Sequence, residues 1–585
     1  MDVKFQDTQA NTTKQLNSSK QPSNSKPSET FSVAEAVVKI LEDMGVQYAF
    51  GVSGGAIAPV WAALHQSSIQ VLHFRHEAGA AFAAIEAYFA SDRPVVIFTT
   101  TGPGITNALT GLLAARWEGA KVILVSASTS APQRGRWAFQ ETSAYTMPST
   151  NIFNSGQIFH YATNLKSSDE LTEISRRLAI GLAQPEGFVA YLSIPTNIQT
   201  SSLTTSLPRV TLSHAVATAS EETIAECVRL LTEGSFAIWV GFGARAAAEE
   251  IRQLAEITGA AVMCSPRGKG IFPEDHPQFV GVTGFAGHKS VLTYMQEYYP
   301  LHTLVLGTRL GEFTSFWNPT MIPQRGFLHI DIDRDVPGAA YPDAKTFAIQ
   351  SDIKVFIKEL LKHFSVSDSR STALTLPRPE LDLIKPCTGS LVRPKVLMDA
   401  IQQVIVEGSD AVVMAESGNS FAWAIHHLRF TKPGRFRVST GFGSMGHFVT
   451  GVVGAALARN GKAVAIVGDG AMLMNNEIST AVQHQIPAVW IVLNDSRYNM
   501  CDQGTTMQGF KGVNVEIPQT DFVKIACGMG ADGIRVERES DIQAALEKAL
   551  VSTNPFVVDV IIDPSWKAPI SNRINNLISQ STTNY

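Results

Sequence analysis

Two aspartates at the ends of neighbouring apolar strands are the residues whose spacing most directly suggests chemistry. A strand through Val464 to Val467 runs into Gly468-Asp469-Gly470; a short helix follows, then a second apolar strand ending at Asn494-Asp495. This is one βαβ unit with a carboxylate at the C-terminal end of each strand. In an open parallel sheet, ligands bind outside those ends, so Asp469 and Asp495 can converge on one cation. Gly468 and Gly470 let backbone approach a phosphate, and the helix starting there adds its N-terminal dipole. Two oxygen donors beside a cradled diphosphate describe a magnesium-diphosphate site. Gly-Asp-Gly alone is a common turn that most often binds nothing, so the argument depends on the flanking strands and on the rest of the chain.

Other candidates lie far away in sequence. Glu77 follows Arg75-His76 at the end of the strand Val71 to Phe74 and precedes an apolar helix, Ala80 to Ala90. A carboxyl between a strand end and an apolar helix is partly desolvated, which suits a proton donor. A solvated glutamate favouring the helix dipole is the commoner arrangement. Thr100-Thr101-Gly102-Pro103-Gly104 is a turn opening a helix, with Thr106 and Asn107 placed to bond backbone or ligand. Glu416-Ser417-Gly418-Asn419 follows the strand Ala411 to Met414, and Gly441-Phe442-Gly443-Ser444-Met445-Gly446 follows later. A lone methionine is usually core filler; flanking glycines at 443 and 446 argue for a special role for Met445.

The elements that must position these residues form three blocks. At 585 residues the chain exceeds one core, and 45% hydrophobic with 17% charged residues is the composition of a large α/β protein. The first block, 31–200, opens with Ser32 and Glu35, a capping-box pattern ahead of the stripe Val33, Val37, Ile40, Leu41 and Met44. The second, 215–365, holds the apolar strands around Ile238, Leu304 and His329, each ending in Gly or acid. The third is 390–565, followed by a C-terminal tail, 566–585. Thr200 to Ser213 and Ser365 to Pro394 look like linkers. The expectation is three doubly wound parallel-sheet domains. Residues 1–30 are polar and read as a disordered tail, without the apolar core of a secretory signal or the arginines of a transit peptide. A net charge of −5 argues against a nucleic-acid surface, and no uncharged apolar run is long enough to span a membrane. Five scattered cysteines without a CxxC pair fit free thiols in a reducing compartment, the cytoplasm.

Taken together, these motifs resemble the thiamine diphosphate enzymes, whose signature is GDG, roughly two dozen residues, then a paired Asn. The family's RHE-type glutamate, its Ser/Thr-Gly-Pro-Gly turn and its Gly-x-Gly-Ser/Thr-Met-Gly segment match here in family order. Lys269 to Pro277 also fits its middle domain. The resemblance implies that Glu77 hydrogen-bonds the cofactor's aminopyrimidine ring and activates it. It implies that Gly418, Asn419, Gly443, Ser444, Gly468, Asp469, Gly470, Ala471 and Asp495 contact thiamine diphosphate, and that Met445 wedges between its rings. Asp469, Asp495 and the backbone oxygen of Arg497 would hold Mg2+. Phe139-Gln140-Glu141 is similar to the acetolactate synthase motif, which makes Gln140 a second catalytic candidate. Simple 2-oxo acid decarboxylases carry a His-His pair there; this chain has no histidine between His76 and His160.

The family likeness implies a carboligase that joins two 2-oxo acids, with loss of carbon dioxide, into an acyloin or 2-hydroxy-3-oxo acid. It also implies a homodimer or homotetramer with active sites at the subunit interface. Departures from the acetolactate synthase pattern qualify this. Asn494-Asp495 replaces Asn-Asn, and His447 replaces an aromatic or aliphatic residue. Of the flavin-binding Arg-Phe-Asp-Asp-Arg segment only Arg309 remains, ahead of Leu310-Gly311-Glu312-Phe313, which argues against FAD. After Met500 the chain reads Cys501-Asp502-Gln503-Gly504, without the tryptophan that shapes the acceptor site. Larger or aromatic 2-oxo acids, as in scytonemin-type acyloin synthases, become candidate substrates. Pyruvate-specific acetolactate synthesis, a decarboxylase, a ring-opening hydrolase and a non-catalytic cofactor-binding subunit are the alternatives.

Overall fold

The computed structural model describes residues 31–146, 151–203, 210, 216–364, 375–380 and 391–582. The polar N-terminal segment, Cys387 and most of both linkers lie outside the described residues. Three six-stranded, all-parallel sheets with flanking helices account for the rest. Numbered within each domain, the strands of the first and third sheets run in the same order, 2-1-3-4-6-5, and those of the middle sheet run 3-2-1-4-5-6. The first and third domains therefore share one topology that no sequence repeat announces.

Local sequence explains the elements. The helix Val33–Asp43 starts where expected: Ser32 Oγ accepts the Glu35 N–H, and the Glu35 carboxylate accepts the Ser32 N–H at 2.7 Å. Central strands such as Val95–Thr99 and Ala488–Asn494 are buried along their whole length, because helices cover both faces of a parallel sheet. The apolar run near Phe448 forms the helix His447–Ala458, which packs on the helix Glu77–Ser91 of the first domain. A Cβ at Gly454 would sit 2.0 Å from the Ala83 carbonyl oxygen, so the two backbones approach as closely as they do only because that residue is glycine. One apolar core joins the first and third domains through this seam, and another joins the middle domain to the third. Among the described residues, no helix is long and apolar enough to cross a membrane.

The segment drawn as a C-terminal tail contains a helix, Ser571–Thr582. Its Asn576 side chain donates to Glu312 of the middle domain at 2.7 Å, and Arg573 forms an ion pair with the same carboxylate. Ile574 enters the core shared by the middle and third domains and Leu577 packs against it, but these few apolar residues in a mostly polar helix leave a weak pattern in the sequence.

Candidate active site

In the third sheet, the strands Val412–Ala415 and Ala463–Gly468 are neighbours whose connections leave in opposite directions. A crevice opens at such a switch point, outside the carboxyl ends of the strands. The loops after these strands, with Asp495 to Cys501 beyond the next one, enclose a cavity of about 190 Å³. Gly418, Asn419, Met445, Gly468, Asp469, Gly470, Ala471, Asp495 and Arg497 all line it. Gly443 and Ser444 lie just before Met445 in the same turn, Gly443 at φ 64°.

Asp469 and Asp495 are held rigidly. Asp469 Oδ2 accepts the N–H groups of Asp495 (3.2 Å) and Ser496 (2.6 Å), and Oδ1 accepts that of Gly470 (2.7 Å). Asn499 Nδ2 donates to Asp495 Oδ2. Burial raises the titration point of Asp469. It pushes Asp495 up to about 7, the Asn499 hydrogen bond opposing and the Asp469 charge adding to the rise. Two buried carboxylates that resist ionising together are a pair a divalent cation would relieve. Among the described residues, no cluster of three His, Cys, Asp or Glu side chains could hold a metal. The surroundings suit a diphosphate. Asn419 Oδ1 and Ser444 Oγ are buried without partners, and nothing lies within 4 Å of where a Cβ would stand at Gly418 or Gly468.

Three family models match the chain in order. They are the N-terminal binding, central and C-terminal binding domains of thiamine pyrophosphate enzymes, at residues 31–147, 224–360 and 416–560. The chain belongs to the thiamine pyrophosphate enzymes. It is 28% identical to the large subunit of acetolactate synthase isozyme 2 of Escherichia coli (strain K12), covering 91% of this chain and 95% of that one. It is 27% identical to a probable acetolactate synthase large subunit of Methanocaldococcus jannaschii, over 93% and 95%. With the acetolactate synthase large subunit of Corynebacterium glutamicum it shares 28% identity over 90% and 86%.

In this thiamine pyrophosphate enzyme, Glu77 and Gln140 each border the Thr-Gly-Pro-Gly turn of the first domain, and neither lines the cavity that holds Asp469. Glu77 begins its helix and is only 7% exposed; Asn107 Nδ2 donates to its Oε2 at 3.0 Å. Gln140, at φ 58°, accepts from Thr101 Oγ1 at 3.3 Å, so the Thr-Gly-Pro-Gly turn packs against the Phe-Gln-Glu loop. Trp137 and Phe139 on that loop are each 88% exposed. Arg309 donates to the Trp117 carbonyl at 3.0 Å beside a cavity of about 1210 Å³ at the switch point of the middle sheet.

Sequence reasoning missed several residues that shape the site. Glu477 accepts the N–H groups of Arg75 (3.1 Å) and His76 (3.2 Å), so the third domain grips the loop that carries Glu77. Tyr498 lies against Gly470, where a Cβ would be 2.6 Å from its ring. Glu416, already singled out with Ser417-Gly418-Asn419, is buried and accepts the N–H groups of Phe448 and Val449, satisfying the first turn of their helix. Asn494, beside Asp495 in sequence, faces the other way and donates to Asp559 at 2.8 Å, since successive side chains of a strand alternate sides. The signal for Asn499 was available: a polar residue four positions after Asp495, at the start of a helix, returns to it.

Proposed function

We propose that this enzyme is a thiamine diphosphate- and magnesium-dependent carboligase, joining two 2-oxo acids with loss of one carbon dioxide into an acyloin that keeps the acceptor's carboxylate, a 2-hydroxy-3-oxo acid. The observation that carries the reading is the Asp469/Asp495 pair in the switch-point cavity, beside the unpartnered polar atoms of Asn419 and Ser444. Asp469, Asp495 and the Arg497 carbonyl would hold the magnesium, and Gly418, Asn419 and Ser444 the diphosphate. When bound, the cofactor supplies a nucleophilic carbon that can take up one 2-oxo acid and pass its acyl part to another.

The remaining work falls to the chain. Asn107 holds one oxygen of Glu77, which leaves the other free to exchange a proton with the aminopyrimidine ring. Met445, at the cavity edge, would support the rings. Because neither Glu77 nor Gln140 lines the cavity of its own chain, a second copy supplies them in this reading, and the active assembly is a homodimer or homotetramer. Beyond Met500 the wall carries Cys501, with Leu493 and Ile562 nearby, and this apolar space favours larger or aromatic 2-oxo acids. The names of the relatives favour a second reading, acetolactate from pyruvate. Buried, reduced Cys227 and Cys264 suit a cytoplasmic location.

The test is to incubate the purified protein with thiamine diphosphate, magnesium and a panel of 2-oxo acids, singly and paired, and to identify products by mass spectrometry. Coupled products from aromatic pairs support the broader reading. Acetolactate alone selects the pyruvate reading, and uncoupled aldehyde overturns carboligation.

A further inference from the structure

The seam between the first and third domains buries charged groups for which the proposed chemistry has no use. Glu86, on the helix that begins with Glu77, accepts Arg437 Nε and Nη2, both at 2.8 Å, and His447 Nε2 at 3.0 Å. Glu118 accepts Ser439 Oγ at 2.8 Å and pairs with Arg267 of the middle domain at 2.8 Å. Arg437 and Ser439 lead into the turn Gly441 to Gly446, and His447 leaves it. Both ends of the turn that carries Met445 are therefore fastened to the first domain.

His447 is the more deeply buried of the two fastenings. Its side chain is fully buried, and its ring stacks between Phe82 (centroids 5.0 Å apart) and Phe448 (4.4 Å). An apolar ring would fill that slot without the cost of burying an imidazole, and His447 Nδ1 has no partner. With the proton on Nε2, the unpaired nitrogen is only an acceptor and the donor points at Glu86. The turn it ends is intrinsically loose: Gly443 and Gly446 take φ of 64° and 91°, and Met445 is 37% exposed.

We propose that His447 is a positioning residue: through its hydrogen bond to Glu86 it fixes the Gly443–Gly446 turn and so holds Met445 in register with the bound cofactor. This rests on the proposed function, in which Met445 supports the cofactor rings. The diphosphate is gripped elsewhere, by the loops around Asp469 and Asp495, so the effect falls on ring geometry and turnover and leaves cofactor affinity unchanged.

Three variants of the full chain, loaded with thiamine diphosphate and magnesium, separate the possibilities. His447→Phe keeps the stack and removes the donor. His447→Gln and His447→Met are close in shape, and only the first keeps a donor. Cofactor affinity is measured by calorimetry, ring geometry by near-ultraviolet circular dichroism of the bound cofactor, and kcat and KM with the best 2-oxo acid pair. The Phe and Met variants are expected to bind cofactor normally, to show an altered dichroism band and to lose about 10- to 100-fold in kcat with little change in KM. The Gln variant keeps the wild-type band and most of the turnover. A wild-type band and kcat in the donor-less variants overturn the proposal, as does equal loss of cofactor affinity in all three. If the Phe protein does not fold, the Met and Gln pair gives the same comparison. A wild-type protein that binds cofactor without forming coupled product refutes the proposed function instead, while the dichroism comparison still decides the role of His447.

Discussion

Asp495→Asn isolates the electrostatic strain of the proposed metal site. In the metal-free fold Asp495 is pushed up to about 7 from an ordinary 3.8, first by burial. The folded chain thus holds a proton that the unfolded chain has released, and stability falls as pH rises from about 4 through 7. At pH 8 the full cost of ionisation is about 4 kcal/mol, and water at the cavity mouth reduces it to about 2–4 kcal/mol. Asparagine keeps an acceptor for Asn499 and removes the charge. For a domain of this size each kcal/mol moves the melting temperature by about 2–4 °C, so the metal-free variant is expected to melt at least about 4 °C above wild type at pH 8. The gap narrows toward pH 5, where wild-type Asp495 is protonated. Thiamine diphosphate with magnesium narrows the gap, because the cation relieves the repulsion between the two carboxylates, and an asparagine oxygen at 495 can still ligate it. Scanning calorimetry at both pH values, with and without ligands, gives the comparison; for a three-domain chain the rank order of transitions is the quantity to trust. A metal-free wild type whose melting does not change between pH 5 and 8, or a variant less stable than it at pH 8, would refute the reasoning.

Two further substitutions address the rest of the account. Glu77→Gln is expected to lower kcat by at least about 10²- to 10⁴-fold while calorimetry shows nearly unchanged cofactor affinity; unchanged turnover removes the assigned role. At Glu86, burial favours the neutral acid, but the charge and hydrogen bonds of Arg437, then the hydrogen bond of His447, outweigh it and hold the carboxyl at about 2. Arg437→Met strands that carboxylate in the seam and is expected to cost about 3–5 kcal/mol, read from the denaturant midpoint. Adding Glu86→Met should recover much of the loss, and no recovery would count against the buried pair as its cause.

The fold class was legible because each buried parallel strand is a continuous apolar run, and the ends at Gly468, Asp469 and Asp495 line the switch-point cavity of the third sheet. Strand order was not, since it depends on which edges meet and not on local periodicity; nothing in the sequence reveals that the first and third sheets share it. The candidate site divides the same way. Asp469 and Asp495 could be picked out because one βαβ unit brings them together. The Glu86, Arg437 and His447 network could not, because Glu86 and Arg437 are 351 positions apart and each looks like an ordinary charged residue in its own segment. The helix Ser571–Thr582 escaped notice because only Ile574 and Leu577 dock it on the core, and polar side-chain bonds to Glu312 complete its attachment.

The central claim is that this enzyme ligates two 2-oxo acids, and the ratio of carbon dioxide released to 2-oxo acid consumed tests it most directly. With thiamine diphosphate and magnesium present, the account predicts one carbon dioxide for every two acid molecules consumed. One carbon dioxide for every acid molecule, with free aldehyde as the product, would contradict it.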